Sequence, residues 1–244
     1  MDNNNFNINS WQQQAAPAQT ATRSFLSGVF AWMGIALGIS ALTAYVFGTD
    51  ASYMSYLVNT QTGGLSVFGY VVMFAPIGFV LLMGLGFHKL SSTALTGIFL
   101  VYAVIMGMSL SFIFLAYTMG SIVGVFISSA AMFGVMALMG YTTKTDLTKF
   151  GSIMMMALIG IIVASLINMF MHSSQLDYLI SFVAVLVFTG LTAYDVQKLK
   201  NIGAGVEYGT ESTAKLSILG ALTLYLDFIN LFLALLRLFG NRRN

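Results

Sequence analysis

The sequence predicts an all-α membrane protein built as a bundle of seven transmembrane helices. Hydrophobic residues make up 58% of the 244-residue chain and charged residues only 7%, whereas soluble proteins carry about 25% charged residues. Seven apolar runs are each long enough, at about 20 residues, to cross a bilayer as a helix. A transmembrane β-barrel would show runs of about ten residues with alternating polarity, and these runs do not alternate.

The seven predicted helices follow one another in order along residues 23–244. They span Phe25–Phe47, Ser66–Phe87, Ser92–Leu115, Met119–Gly140, Phe150–Phe170, Leu176–Val196 and Leu216–Phe239. Residues 1–22, ahead of them, are rich in Asn, Gln, Ala and Thr, which predicts a disordered polar tail. The one long polar connection, Gln197–Ala214, contains Gly203 and Gly205 and is expected to be a flexible loop.

Small residues spaced four apart predict close contacts between helices, because they let two backbones approach each other. Such pairs are Gly34 with Gly38, Gly120 with Gly124, and Gly160 with Ala164. This pattern indicates helix packing rather than function.

The distribution of Lys and Arg predicts the orientation in the membrane. One side would hold Arg23, Lys89, Lys144, Lys149, Lys198, Lys200 and Lys215, and the other Arg237, Arg242 and Arg243. Cytoplasmic loops carry an excess of Lys and Arg, so the N-terminus is expected in the cytoplasm. Seven spans then place the C-terminus outside, whereas Arg237, Arg242 and Arg243 near it would favour the cytoplasmic side. Either the early loops dominate, or the last segment re-enters, or one span is miscounted; the first explanation is favoured.

An aspartate near the middle of the last apolar run is the strongest functional signal. It belongs to a polar stripe with three- and four-residue spacing, one face of an α-helix: Gly220, Thr223, Asp227, Asn230, Ala234 and Arg237. A charged side chain at the bilayer centre costs roughly 3 kcal/mol, so this face should point into the bundle. Asp227 is then either a structural carboxylate satisfied by Thr223, Asn230 or a tyrosine, or an ion or proton site. We favour the second interpretation.

Asp195, near the end of the preceding apolar run, is the expected companion of Asp227. The two reach similar depth only if the sixth helix continues past Lys200. Two carboxylates that meet in a low-dielectric site cannot both ionise cheaply, so they would share one proton near neutral pH. On losing it they present two oxygen-rich anions suited to transient Ca²⁺ binding. Asp195 alone, beside Tyr194 and Lys198, would be a weaker signal.

The sequence does not favour an enzyme. It has no cysteine, and its two histidines, His88 and His172, are expected on opposite sides of the membrane. The serious rival is an intramembrane aspartyl protease, whose Tyr-Asp motif is matched by Tyr194-Asp195. The residues before Asp227, however, are not the expected Gly-x-Gly, and no Pro-Ala-Leu motif is present. No cofactor is expected, and the scattered cations predict no nucleic-acid partner.

Three segments resemble the Bax inhibitor (transmembrane Bax inhibitor motif) family, most of all its bacterial inner-membrane branch. They are Gly220-Ala-Leu-Thr-Leu-Tyr-Leu-Asp227-Phe-Ile-Asn230-Leu-Phe-Leu-Ala-Leu-Leu-Arg237-Leu-Phe-Gly240, Phe188-Thr-Gly-Leu-Thr-Ala-Tyr194-Asp195-Val-Gln-Lys-Leu-Lys200 and Gly140-Tyr-Thr-Thr-Lys144-Thr-Asp146-Leu. The resemblance spans all seven helices. It implies a bundle whose last helix is central, and a pH-sensitive Ca²⁺ leak governed by a hydrogen-bonded aspartate pair, which corresponds to Asp195 and Asp227.

The resemblance also implies a latch and an alternative role. In some relatives an arginine at the end of the second helix contacts the aspartate pair; here the helix ends in Gly86-Phe87-His88-Lys89, so His88 or Lys89 is expected to take its place. A few bacterial relatives instead modulate a membrane-bound AAA protease. A regulatory membrane protein without transport activity is therefore the second hypothesis, with that protease, rather than Ca²⁺, as its partner besides the lipid bilayer.

Overall fold

The structure, a computed structural model, describes residues 8–59, 63–206 and 209–243, and it confirms the all-α class. Within these residues seven helices are long and apolar enough to cross a membrane. The helices are α1 Ile8–Thr49, α2 Ala51–Leu57, α3 Val67–Gly86, α4 Ser92–Leu110, α5 Ile113–Ala116, α6 Met119–Thr142, α7 Thr148–Met171, α8 Ser174–Gly205 and α9 Glu211–Phe239. The short helices α2 and α5 were not predicted.

The last helix, α9, lies at the centre of the bundle. In the most apolar 18-residue stretch of α9, 72% is buried inside the protein, whereas in that of α7 only 11% is buried. It packs against α1, α4, α6 and α8, while α3 packs mainly against α4, and α7 against α8. A helix that is surrounded by four other helices has little surface left for lipid. The central position implied by the resemblance is therefore confirmed.

Charged residues at the helix ends lie on two opposite sides of the bundle, which we call the lysine side and the arginine side. The lysine side carries Lys89, Lys144, Lys149, Lys198, Lys200 and Lys215, and the arginine side carries His172, Arg237 and Arg242. Because α9 is one continuous helix of 29 residues, about 43 Å long, its C-terminal end does not turn back into the bundle. It ends on the arginine side, where the Thr118 N–H donates to the Asn241 carbonyl at 3.1 Å.

Two of the predicted boundaries differ from the structure. The helix α1 begins at Ile8, well before the predicted start at Phe25, and residues 1–7 lie outside the described part. The Gln and Ala residues in the first turns of α1 are good helix formers. The helix α8 continues through Gly205, so most of the expected flexible loop is helical. Gly203 is buried there against Phe25 of α1, and this packing outweighs the low helix propensity of glycine.

The predicted glycine contacts are also wrong. A Cβ atom added at Gly34, Gly38, Gly120, Gly124 or Gly160 would meet nothing within 4 Å. The close approaches occur at other glycines, among them Gly140 of α6, where an added Cβ would overlap the backbone of Ala193 in α8. Spacing shows which residues share a helix face, but it does not show whether that face meets a neighbour.

We expect Gly140→Ala to lower the free energy of unfolding by about 1–3 kcal/mol, because the new methyl group pushes α6 away from α8. The matched control is Gly134→Ala in the same helix, which has open space around it and should gain about 0.5–1 kcal/mol in helix propensity. Denaturant unfolding in detergent micelles measures both. Equal stability of the two variants would contradict the contact.

Candidate functional site

Asp195 of α8 and Asp227 of α9 meet inside the bundle. Both are buried, with 8% and 5% of their surface exposed, and their carboxyl groups are close enough to interact directly. A carboxylate has only acceptor atoms, so a hydrogen bond between the two groups requires that one of them carries a proton. The Oδ2 atom of Asp227 has no hydrogen-bond partner among the described residues. The two residues form a buried carboxyl dyad in which one oxygen of Asp227 is left without a partner.

The turn of α8 that carries Asp195 is held by both neighbouring helices. Gly140 of α6 lies against the backbone of Ala193, and Gly151 of α7 lies against the ring of Tyr194. Glycine is required at both positions, since a Cβ atom would overlap these neighbours. Asp195 therefore has little freedom to move away from Asp227 unless α6 or α7 moves too.

Gln197 fixes the connection between α6 and α7 to the same turn. Its Oε1 accepts a hydrogen bond from the Leu147 N–H at 2.8 Å, and its Nε2 donates to the Thr145 carbonyl at 2.8 Å. Lys200 donates to the Tyr141 carbonyl at 2.7 Å. The sequence did not predict these contacts. The available signal was a Gln directly after the apolar run that ends at Val196, because a buried amide needs partners.

The carboxylate of Asp146, in the same connection, accepts hydrogen bonds from Thr148. The Thr148 hydroxyl donates at 2.6 Å and its N–H at 2.9 Å. These bonds favour the charged form and lower the pKa of Asp146 below its usual value. Asp146 is exposed and faces solvent, so this part of the resembling segment organises the start of α7 rather than the dyad.

We expect Gln197→Leu to loosen the connection between α6 and α7, because it leaves one N–H and one carbonyl without a partner, at about 1–3 kcal/mol. Limited digestion with trypsin should then cleave after Lys144 faster than in the parent protein. Gln175→Leu, in the exposed first turn of α8, is the matched control and should leave the cleavage rate unchanged. If both variants are cleaved at the parent rate, Gln197 does not hold this segment.

Thr223 and Asn230 flank Asp227 without bonding to it. The Thr223 hydroxyl donates to the Leu219 carbonyl at 3.1 Å, and the Asn230 amide donates to the Leu226 carbonyl at 2.8 Å. Both are bonds to the preceding turn of α9. Neither side chain is therefore the hydrogen-bond partner of Asp227 in this structure.

A cavity of about 960 Å³ leads from the dyad toward the arginine side. Its walls come from α3, α7, α8 and α9 and are mostly apolar. The polar stripe predicted on α9 lines it, with Thr223, Asp227, Asn230 and Arg237 all on its wall. It continues into a smaller cavity of about 420 Å³, and both cavities share Ser165, Met169, Ile180 and Arg237.

The expected latch contact is absent from this structure. His88 and Lys89 follow the end of α3 and are both exposed, and neither forms a salt bridge with Asp195. The positive charge that acts on Asp195 is Lys198, one turn further along α8, and its Nζ lies 5.9 Å from the centre of the Tyr194 ring. Lys198 is closer to Asp195 than His88 or Lys89 is, because it lies three residues further along the same helix.

The two histidines lie on opposite sides, as predicted. His172 ends α7 in a left-handed conformation, with φ 51°, and its Nδ1 lies 3.1 Å from the Phe170 carbonyl oxygen. Across residues 8–59, 63–206 and 209–243, no group of three or more His, Asp and Glu side chains is close enough to hold a metal ion. The dyad is the one buried pair of carboxyl groups in this part of the chain.

A bundle of seven membrane-spanning helices, with a buried carboxyl dyad on its central helix and an open cavity beside it, defines a polytopic membrane protein with an intramembrane titratable site. The comparisons with known proteins support the membrane class. The model of the family described as inhibitor of apoptosis-promoting Bax1 matches residues 22–244. The chain belongs to this Bax inhibitor family.

Several bacterial proteins are similar over nearly the whole length. The inner membrane protein YbhL of Escherichia coli K12 is 44% identical over 222 residues, covering 91% of this chain and 93% of YbhL. A protein of Borreliella burgdorferi is 44% identical, covering 90% of this chain and 93% of its own length. Protein RP147 of Rickettsia prowazekii is 43% identical, covering 91% of each. The similarity thus includes every membrane-spanning helix.

Proposed function

We propose that this protein is a pH-sensitive Ca²⁺ leak of the bacterial inner membrane, in which Asp195 and Asp227 act as both proton switch and transient ion site. The observation that carries the proposal is the position of the dyad on the wall of the 960 Å³ cavity, which makes the two carboxyl groups reachable by small ions. Its N-terminus is then cytoplasmic, and the arginine side faces outward, in agreement with the lysine-rich connections.

The proton shared by the dyad sets the direction of the pH dependence. With the proton in place, the hydrogen bond holds α8 to α9, and the pair has at most one negative charge. When the proton is lost, two carboxylates face each other in a low-dielectric site and repel. A divalent cation relieves this repulsion. Flux should therefore be low at acidic pH and rise as the dyad loses its proton.

The small number of oxygen ligands supports passage rather than storage of Ca²⁺. A tight Ca²⁺ site supplies six to eight oxygens, while the two carboxyl groups supply four. Thr223 and Asn230 on the same cavity wall and water would complete the shell. Such a site binds weakly, which permits an ion to enter and to leave.

Toward the lysine side the route is closed by the packing of α8 on α9. Gly220 of α9 lies against the side chain of Leu199, where an added Cβ would be 2.7 Å from a methyl carbon. Both residues are buried. An ion that passes the dyad needs these two helices to separate at this level, and charge repulsion within the dyad favours that separation.

The test is reconstitution in liposomes with a Ca²⁺-sensitive dye across a pH series from acidic to mildly alkaline. Ca²⁺ entry that depends on the protein and rises with pH supports the proposal. A folded protein without Ca²⁺ flux at any pH contradicts it. That result would favour the second hypothesis, a regulator of another membrane protein such as a membrane-bound AAA protease.

A further inference from the structure

The smaller cavity on the arginine side is positively charged and open. Arg237 at the end of α9 and Arg242 beyond it both line this cavity. Neither guanidinium forms a salt bridge or a hydrogen bond with any described residue. Asp177 is also on the wall, but it lies more than 4 Å from both arginines. With two positive charges against one negative charge, the cavity favours an anion.

The polar lining of this cavity also suits a phosphate group. Asn168, His172 and Ser173 are on its wall, and the cavity adjoins the N-terminal turn of α8. The Ser173 hydroxyl accepts the Leu176 N–H at 3.3 Å. Arg side chains bind phosphate through two parallel hydrogen bonds, and free N–H groups at a helix start add a weaker attraction. The two arginines remain the main determinant.

The larger cavity opens sideways onto the lipid. Several of its lining side chains are themselves exposed on the outside of the bundle, with 61% of Ile77 in α3 and 51% of Ile162, 55% of Leu166 and 59% of Met169 in α7 exposed. All four are apolar and lie in membrane-spanning helices. The opening between α3 and α7 therefore faces acyl chains rather than water.

The two cavities together have the length of one lipid leaflet. Arg237 and Asp227 are ten residues apart on α9, or about 15 Å along the helix axis. One leaflet of the hydrocarbon core is about half of 30 Å thick. A lipid with its phosphate at Arg237 thus has a chain long enough to reach the dyad.

We propose that a phospholipid binds here, with its phosphate between Arg237 and Arg242 and one acyl chain in the cavity between α3 and α7. The positive charge favours an anionic headgroup. The apolar cavity favours a lipid over free phosphate, because only a lipid also fills the apolar part. The chain would cover the dyad on its cavity side, so an ion can reach the dyad through this cavity only after the chain has moved aside. This binding does not depend on whether the protein conducts Ca²⁺.

Native mass spectrometry of the full chain in detergent, with added phosphatidylglycerol, tests the headgroup site. We expect retained lipid in the parent protein and at least about a tenfold loss in a variant carrying Arg237→Gln and Arg242→Gln, since two charge-assisted contacts are removed. Arg243→Gln is the matched control. It removes the same charge from the same terminus, but Arg243 donates to the Phe114 carbonyl at 3.3 Å and does not line the cavity.

Three outcomes would overturn the proposal. They are an absence of retained lipid in the parent protein, an equal loss in Arg243→Gln, and displacement of the lipid by inorganic phosphate at similar concentration, which would indicate a free anion site.

A photoreactive group at the end of the acyl chain locates the chain in the parent protein without any substitution. Crosslinks of the acyl chain near Leu158 or Thr223 on the cavity wall support the proposal. Crosslinks confined to Phe74 or Leu82 on the outer surface of α3 contradict it.

Discussion

Asp227→Asn is expected to abolish the pH-dependent Ca²⁺ flux while leaving the bundle folded. An amide has nearly the shape of a carboxyl group, and its NH₂ group donates to Asp195 without any shared proton. The contact between α8 and α9 then persists at every pH, and the repulsion that follows proton loss disappears. A neutral amide is also cheaper to bury than a carboxylate, so stability should not fall.

Flux of Asp227→Asn in liposomes should be lower by at least about tenfold at the highest pH, which corresponds to a loss of at least ~1.4 kcal/mol in the interaction with the ion. The matched control is Asp50→Asn. It removes a carboxylate from the exposed N-cap position of α2, where the Asp50 side chain accepts from the Ser52 N–H, and Asn caps helices equally well. Parent-like pH dependence in Asp227→Asn would end the claim that this residue is the ion site.

Asp195→Asn is expected to retain some flux but to lose its dependence on pH. Asp227 keeps its carboxylate on the cavity wall beside Thr223 and Asn230, so a cation still finds a partial site. The shared proton is gone, because the new amide donates the hydrogen bond instead. The flux should therefore be nearly flat across the pH range in which the parent protein changes most.

The two aspartate variants should be measured in parallel, at the same protein density and over the same pH series. The expected contrast comes from position. Asp195 has the charge of Lys198 nearby, while Asp227 has the free Oδ2 atom. If Asp195→Asn lowers flux more than Asp227→Asn, the roles assigned to the two residues are reversed.

The secondary structure and the key residue could be read from the sequence. Long apolar runs have one physical solution in a bilayer, a helix whose backbone groups bond within the segment, so seven helices followed directly. Asp227 could be identified because an ionisable residue inside a membrane-spanning run costs free energy and usually has a functional role. The three- and four-residue spacing of Thr223, Asp227 and Asn230 also placed them on one face, and the cavity lies along that face.

Other features depended on contacts between distant segments, which spacing does not encode. Whether α8 continued past Lys200 was decided by the packing of Gly203 on Phe25, and this continuation carries Asp195 to the level of Asp227. The close helix contact is made by Gly140 rather than Gly34, because the backbone of Ala193 in α8 lies against Gly140. The absent latch contact at His88 and Lys89, the two open arginines and the cavity between α3 and α7 likewise follow from how the helices are arranged. Helix propensity and hydrophobicity act along the chain, whereas these contacts depend on which helix faces meet in the folded bundle.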